Sequence, residues 1–214
     1  MISFYKIYFR NMLEGNNMNR IFSAVIEMSA ASIFIIPIFS VYGKFTVKNI
    51  KRTFIYFLFG LYLSAMLALV GFPNVKEFSV DFTINIIPIV YIIPDFVNAC
   101  LNVILFVPFG IFLSLLWKKF RNKKSLVKAA LCMSAVIEIA QIFTYRTTDI
   151  NDVITNTTGA MIGYLIAKTM TAKFTACSEF DSDSRDLYFI VGIVILVMVL
   201  LQPFISSILW SVLL

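Results

Sequence analysis

Six long apolar runs, separated by short polar links, decide what this chain can fold into. They extend from Ile21 to Tyr42, Thr53 to Phe72, Asn98 to Trp117, Ala129 to Tyr145, Thr148 to about Thr171 and Leu187 to Leu214. A helix rises about 1.5 Å per residue, so roughly twenty residues cross the ~30 Å hydrocarbon core of a bilayer. None of the runs alternates with the period of two that a barrel strand needs. The chain has 214 residues, of which 60% are hydrophobic and 14% charged, and its mean hydropathy is +0.89. A soluble domain of that size cannot hide so much apolar surface. The predicted fold class is therefore all-α: a polytopic transmembrane helical bundle of about six spans.

Residues 21–214 read as a single membrane domain. Residues 1–20 read as an interfacial segment, with Phe4, Tyr5, Ile7 and Tyr8 on the membrane surface and Lys6 and Arg10 among headgroups. Between the second and third runs, Asn74 to Val97 holds Pro88 and Pro94 with the acids Glu77, Asp81 and Asp95. Two prolines so close argue against one continuous helix. A partly embedded loop is expected there, packed against protein or water. Pro108 and Gly110 should bend the third span near its middle. The last span reads as a plain packing helix.

The polar residues inside these runs are ordered. Asp149, Asp152, Asn156, Gly159 and Gly163 follow at helical spacings and make one stripe on the fifth run. Ser134, Glu138, Gln141 and Tyr145 keep a similar rhythm on the fourth. A short turn containing Arg146 joins the two, so the stripes can face each other. Asn98 and Asn102 lie one turn apart on the third run. A carboxylate in a spanning segment costs roughly 2.5–3.5 kcal/mol on insertion scales unless it has a partner, so such residues face the bundle interior or a wet cavity. The cluster is either a structural clamp, in which Arg146 neutralises Glu138, Asp149 and Asp152, or a binding or catalytic site; one arrangement can serve both. Asp149 and Asn151 are both available to cap the fifth helix.

Other chemistries are excluded. The chain has no histidine, which removes the commonest general base and metal ligand. Its three cysteines, Cys100, Cys132 and Cys177, stand far apart, with neither a disulfide frame nor a zinc spacing. A metal on Asp149, Asp152 and Asn156 would rest on three oxygen ligands without loop geometry, so none is expected. No phosphate-cradling or dinucleotide fingerprint occurs, and no cofactor is expected. The net charge of +6 points to cytoplasmic loops rather than to nucleic acid. With six spans, thirteen Lys and Arg fall in or beside the loops after spans one, three and five, and five fall on the other side. The positive-inside rule makes the first set cytoplasmic. The Arg146 turn, the start of the third span and the proline loop are then outside, and Asn102, Glu138, Asn156 and Glu27 converge within roughly 10 Å of the outer boundary.

Three linked motifs carry a resemblance. They are Asn98-x3-Asn102-x2-Leu105-Phe106-x-Pro108-Phe109-Gly110, then Glu138-x2-Gln141, then Arg146-x2-Asp149-x2-Asp152-x3-Asn156-x2-Gly159-x3-Gly163-Tyr164. In order and spacing they resemble the VanZ-like family, over about residues 73–167. Thr147 and Thr148 depart from the pattern, being polar where the family is more apolar. The resemblance implies a multi-pass protein of the bacterial cell membrane, associated with reduced susceptibility to teicoplanin and related lipoglycopeptides. It implies a phenotype more than a mechanism.

Three functions compete. In the first, an outer-leaflet polar pocket formed by Asn98, Asn102, Glu138, Gln141, Arg146, Asp149, Asp152 and Asn156 binds a membrane lipid or cell-wall precursor headgroup, or the lipoglycopeptide itself. The Arg146 fork would meet phosphate oxygens. In the second, an enzyme modifies such a lipid, with Glu138 as acid or base and Arg146 steadying an anion. The absence of an evident nucleophile–base pair ranks it second. In the third, the protein is a scaffold for another membrane protein, with Gly159 and Gly163 at a helix contact.

Overall fold

A computed structural model describes residues 17–76, 84–85, 96–144, 148–173 and 182–213. Residues 1–16 of the expected interfacial segment, the loop with Pro88 and Pro94, and Arg146 lie outside the described residues. The elements of the described chain are helices joined by short turns, apart from a two-residue parallel ladder in which Ile84 pairs with Thr148 and Asn85 with Asp149. It forms two compact units, residues 1–76 with 193–214, and residues 77–192.

The first unit contains α1 (Asn17–Tyr42) and α2 (Ile50–Val70), joined by a π turn at Gly43–Val47. Asn49 caps α2 by accepting from the Arg52 N–H at 3.1 Å. The third partner is the end of the chain, where a π turn at Val197–Leu201 leads into α7 (Gln202–Leu213). Phe39, Tyr56, Phe59, Met66 and Val197 fill its core. The last span is less plain than its composition suggests. Pro203 has no N–H to give the Val199 carbonyl one turn back, and the Val75 N–H supplies that bond at 3.1 Å. One residue on, Lys76 donates to Ser207 Oγ at 2.7 Å and lies 4.7 Å from the Phe204 ring centroid.

The second unit contains β1 (Ile84–Asn85), α3 (Phe96–Leu116), α4 (Lys123–Gln141), β2 (Thr148–Asp149), α5 (Ile150–Lys173) and the first part of α6 (Ser184–Leu196). Pro108 lies inside α3 without ending it. The closest packing is between α3 and α5. A Cβ on Gly159 would strike the Val103 carbonyl, one on Gly163 the Val107 carbonyl, and one on Gly110 the Ala160 carbonyl. Gly163 follows Gly159 by one turn, as Val107 follows Val103, so α3 and α5 run in the same direction. The β1–β2 pairing, with one strand upstream of each helix, is parallel as well. α4 packs against α5 and runs antiparallel to it, so its C-terminus shares an end with the N-termini of α3 and α5.

Four stretches are long and apolar enough to cross a membrane by length and composition: Ile21–Val47, Ile50–Val70, Phe96–Leu116 and Ser184–Val212. α4 and α5, the expected fourth and fifth spans, are not among them. The reason is their polar content. α4 opens with Lys123, Lys124 and Lys128 and closes with Glu138 and Gln141, and the first half of α5 carries Asn151, Asp152, Thr155, Asn156, Thr157 and Thr158.

Candidate functional site

The shared end of α3, α4 and α5 gathers most of the residues singled out above. Glu138, in the last turn of α4, is only 5% exposed. Its Oε2 accepts from the Asp149 backbone N–H at 2.9 Å, which ties the end of α4 to the strand that precedes α5. Asp149 in turn caps α5. Its Oδ1 accepts from the Asn151 backbone N–H at 2.9 Å and from Asn151 Nδ2 at 2.8 Å. Of the two residues available as cap, Asp149 takes that part and Asn151 serves as its donor. Asp152 adds negative charge in the first turn, where the helix dipole favours it by about 0.3–1 kcal/mol. One turn deeper, Asn156 Nδ2 donates to Ser134 Oγ at 2.9 Å, and both residues are buried. Gln141 is buried in the last turn of α4.

Antiparallel pairing of α4 and α5 explains these contacts. Ser134 meets Asn156, and one turn towards the shared end Glu138 meets Asp149. The buried face of α5 runs through Asn151, Thr155, Asn156, Gly159 and Gly163, and leaves Asp152 at its half-buried edge. The two glycines of the stripe are consumed by the α3 backbone, as described above. Thr155 was not legible as part of the site. Its hydroxyl donates to the carbonyls of Asn151 at 3.0 Å and Asp152 at 3.1 Å, so it fills the first turn from within. The available signal was its one-turn spacing from Asn151.

Asn98 and Asn102 sit in the first turns of α3, half-buried, at the same end. Among the described residues, Asn102 makes no hydrogen bond to the Glu138 group. Among the described residues, too, no three His, Cys, Asp or Glu side chains gather as a metal site would require. A shallow apolar groove of about 120 Å³ lies in the first unit, lined by Ile21, Ala24, Val25, Met28, Ala65 and Leu69. Glu27, on α1 in that unit, is half-buried.

The other end of the second unit is basic. Lys118, Lys119 and Arg121 form a 3-10 turn after α3, and Lys123, Lys124 and Lys128 open α4. The Arg121 guanidinium reaches the terminal carbonyls of α3, at 3.4 Å to Ser114 and 3.5 Å to Leu115. Tyr164, the last residue of the third motif, donates to the Arg121 carbonyl at 3.2 Å and joins α5 to that turn. Trp117 is buried and its indole N–H donates to the Asp183 carbonyl at 2.9 Å.

A family model described as VanZ/LLP1 matches residues 57–171, more than half of the chain, from α2 to the last turn of α5. The chain belongs to the VanZ/LLP1 family. The match is wider than the segment over which the three motifs carried the resemblance, and it includes every element of the cluster around Glu138. With the four apolar helices, VanZ/LLP1 membership makes this a membrane protein. No curated protein and no solved structure matches the chain.

Proposed function

We propose that this VanZ-family protein lowers susceptibility to teicoplanin and related lipoglycopeptides through the cluster at the shared end of α3, α4 and α5, which holds a lipid or cell-wall precursor headgroup at the outer leaflet. The observation that carries the reading is the inside-out distribution of polarity in the second unit. Ser134, Glu138, Gln141, Asn151 and Asn156 are buried, while Leu131, Val136 and Ile139 of α4 and Ile154, Leu165 and Ile166 of α5 are exposed. Water would favour the reverse arrangement, and hydrocarbon favours this one. It supports the view that α4 and α5 also cross the bilayer, making six spans. Their lengths of 19 and 24 residues correspond to roughly 28 and 36 Å. The basic end of the unit then faces the cytoplasm and the Glu138 end faces outward.

In this reading Glu138 is the ionisable centre, Asn102 and Asn156 orient the ligand, and Arg146 meets an anionic headgroup through its planar fork. The enzymatic alternative uses the same Glu138 and Arg146. In the scaffold reading, the helix contact of Gly159 and Gly163 is the one with α3. The test is drug susceptibility of cells expressing Glu138→Gln or Arg146→Lys at matched membrane abundance. Each variant nearly keeps volume while changing charge or fork geometry, and each should abolish the protection. Full protection by both would leave the cluster a purely structural one.

A further inference from the structure

The α3–α4 connection carries the densest charge of the second unit. Between Phe96 and Ile137 the sequence has six lysines and arginines, all from Lys118 to Lys128, and no aspartate or glutamate. Lys119, Lys123, Lys124 and Lys128 are exposed and make no ion pair among the described residues. The acids of the adjoining start of α6 are Asp183, whose carboxylate holds Arg185 at 2.7 Å, and Asp186, which is buried. The lysines do not serve the helix they open. Asn122 Oδ1 caps α4 by accepting from the Lys124 N–H at 2.9 Å, and cations in a first turn oppose the helix dipole. Nor is the connection a loose tether. Arg121 is fastened to the last carbonyls of α3, and Tyr164 of α5 holds the Arg121 carbonyl. The Phe120 N–H bonds the Trp117 carbonyl at 3.0 Å, and the Ser182 N–H bonds the Leu116 carbonyl at 2.9 Å. A loop kept only for its count of positive charges needs no such fastening. Its position completes the picture. Lys118 lies two residues beyond the apolar stretch Phe96–Leu116, and on α4 the exposed surface turns apolar at Leu131, three residues after Lys128. The cations form a fixed collar at the rim of an apolar surface, the level of headgroups in a bilayer.

We propose that this collar is a docking surface for anionic phospholipid headgroups, with Lys119, Lys123, Lys124 and Lys128 meeting their phosphates. It is independent of the Glu138 end, and in the orientation given above it lies in the inner leaflet. A turn held in place spends less ordering entropy on its ligand than a flexible basic tail does. The chemistry separates headgroups by net charge. Phosphoglycerol presents an uncompensated phosphate to the lysines. Phosphoethanolamine and phosphocholine carry an ammonium that neutralises their own phosphate and repels the collar.

The test uses the full-length protein in nanodiscs of equal parts phosphatidylglycerol, phosphatidylethanolamine and phosphatidylcholine, with retained lipids identified by native mass spectrometry. Phosphatidylglycerol should be enriched over both zwitterionic lipids by about fivefold or more, the effect of one lysine at an anionic surface. Replacing three of the four lysines together, Lys119→Gln, Lys124→Gln and Lys128→Gln, should remove most of that enrichment. The same charge removed from the first unit, by Lys44→Gln, Lys48→Gln and Lys51→Gln, should leave most of it. Equal retention of the three lipids would overturn the proposal and leave the surface to an acidic protein or to solvent. An equal loss in the two triple variants would overturn it as well, because net charge alone would then account for the enrichment. If the first variant fails to fold, the wild-type protein decides: phosphatidylglycerol with a photoactivatable group in its headgroup should label the segment from Lys118 to Lys128, and labelling confined to other segments overturns the proposal. Displacement of the lipid by millimolar glycerol phosphate would overturn its assignment to a lipid.

Discussion

Gly163 and Gly192 both lie in helix interiors, where alanine is intrinsically the better residue by about 1 kcal/mol. Their surroundings reverse the outcome at one of them. A Cβ at Gly192 meets nothing within 4 Å, so Gly192→Ala should stabilise the protein by roughly 0.5–1 kcal/mol. A Cβ at Gly163 meets the backbone of Val107 and Ile111, which cannot rotate away as a side chain can. Overpacking of that kind costs about 1–3 kcal/mol and outweighs the propensity gain, so Gly163→Ala should lower the thermal midpoint in detergent while Gly192→Ala raises it. A rise in both would mean that α3 and α5 are not in backbone contact. The same contrast shows what a sequence can convey about single residues. The Gly159-x3-Gly163 spacing is a weak packing signal, and nothing in it says whether the partner is another chain or, as here, a helix some fifty residues earlier. Ser134 and Asn156 were visible as members of two stripes; that they bond each other depended on the register between helices, which spacing along one helix does not contain.

Helix ends carry the next level of organisation. Asp149 caps α5 and receives its orientation from neighbours that the motif spacing had already aligned, which is why this end of the site was legible from sequence. The start of α6 was not. Asp183 Oδ1 accepts from the Arg185 backbone N–H at 3.0 Å, and its Oδ2 meets the Arg185 guanidinium at 2.7–2.8 Å. The Arg185 backbone bond first, and its side chain second, hold the Asp183 carboxyl below the ordinary aspartate range. With the folded-state value depressed, the cap is fully effective above the ordinary aspartate pKa and is lost as pH falls through the folded one. Protection factors at the Arg185 and Asp186 amides, measured against the intrinsic exchange rate at each pH, should fall on acidification through the folded-state value, and Asp183→Asn should remove that fall. A protection factor that does not change with pH in the parent protein would show that the cap contributes nothing. The apolar runs located the helices, because length and hydropathy are properties of a segment. The tie from Trp117 to the Asp183 carbonyl and the Ser182 N–H bond to Leu116 at 2.9 Å joined residues about 66 apart, with no pattern in the link to announce them.

Over the whole molecule, the charge of the second unit is divided between its two ends, with the carboxylates of Glu138, Asp149 and Asp152 at one and the lysines of the α3–α4 connection at the other. This division makes the orientation testable. In a cysteine-free background, cysteine at Thr147 should react with an impermeant thiol reagent on intact cells, and cysteine at Asn122 should not; the opposite result would invert the protein in the bilayer and place the Glu138 end inside. The parallel pairing of α3 with α5 has a consequence for biogenesis. Val103 and Gly159 are about 56 residues apart, so at 5–20 residues per second the ribosome takes roughly 3–11 s to make the second after the first. Throughout that interval α3 is already available to the bilayer while the surface meant for Gly159 and Gly163 has only lipid or the insertion machinery against it. α4, with its buried carboxylate, is also made before Asp149 and Asn156 exist to receive it. A nascent chain arrested before Asp149 therefore carries a polar helix whose partner has not yet been made, so the burial of the α4 carboxylate waits for α5.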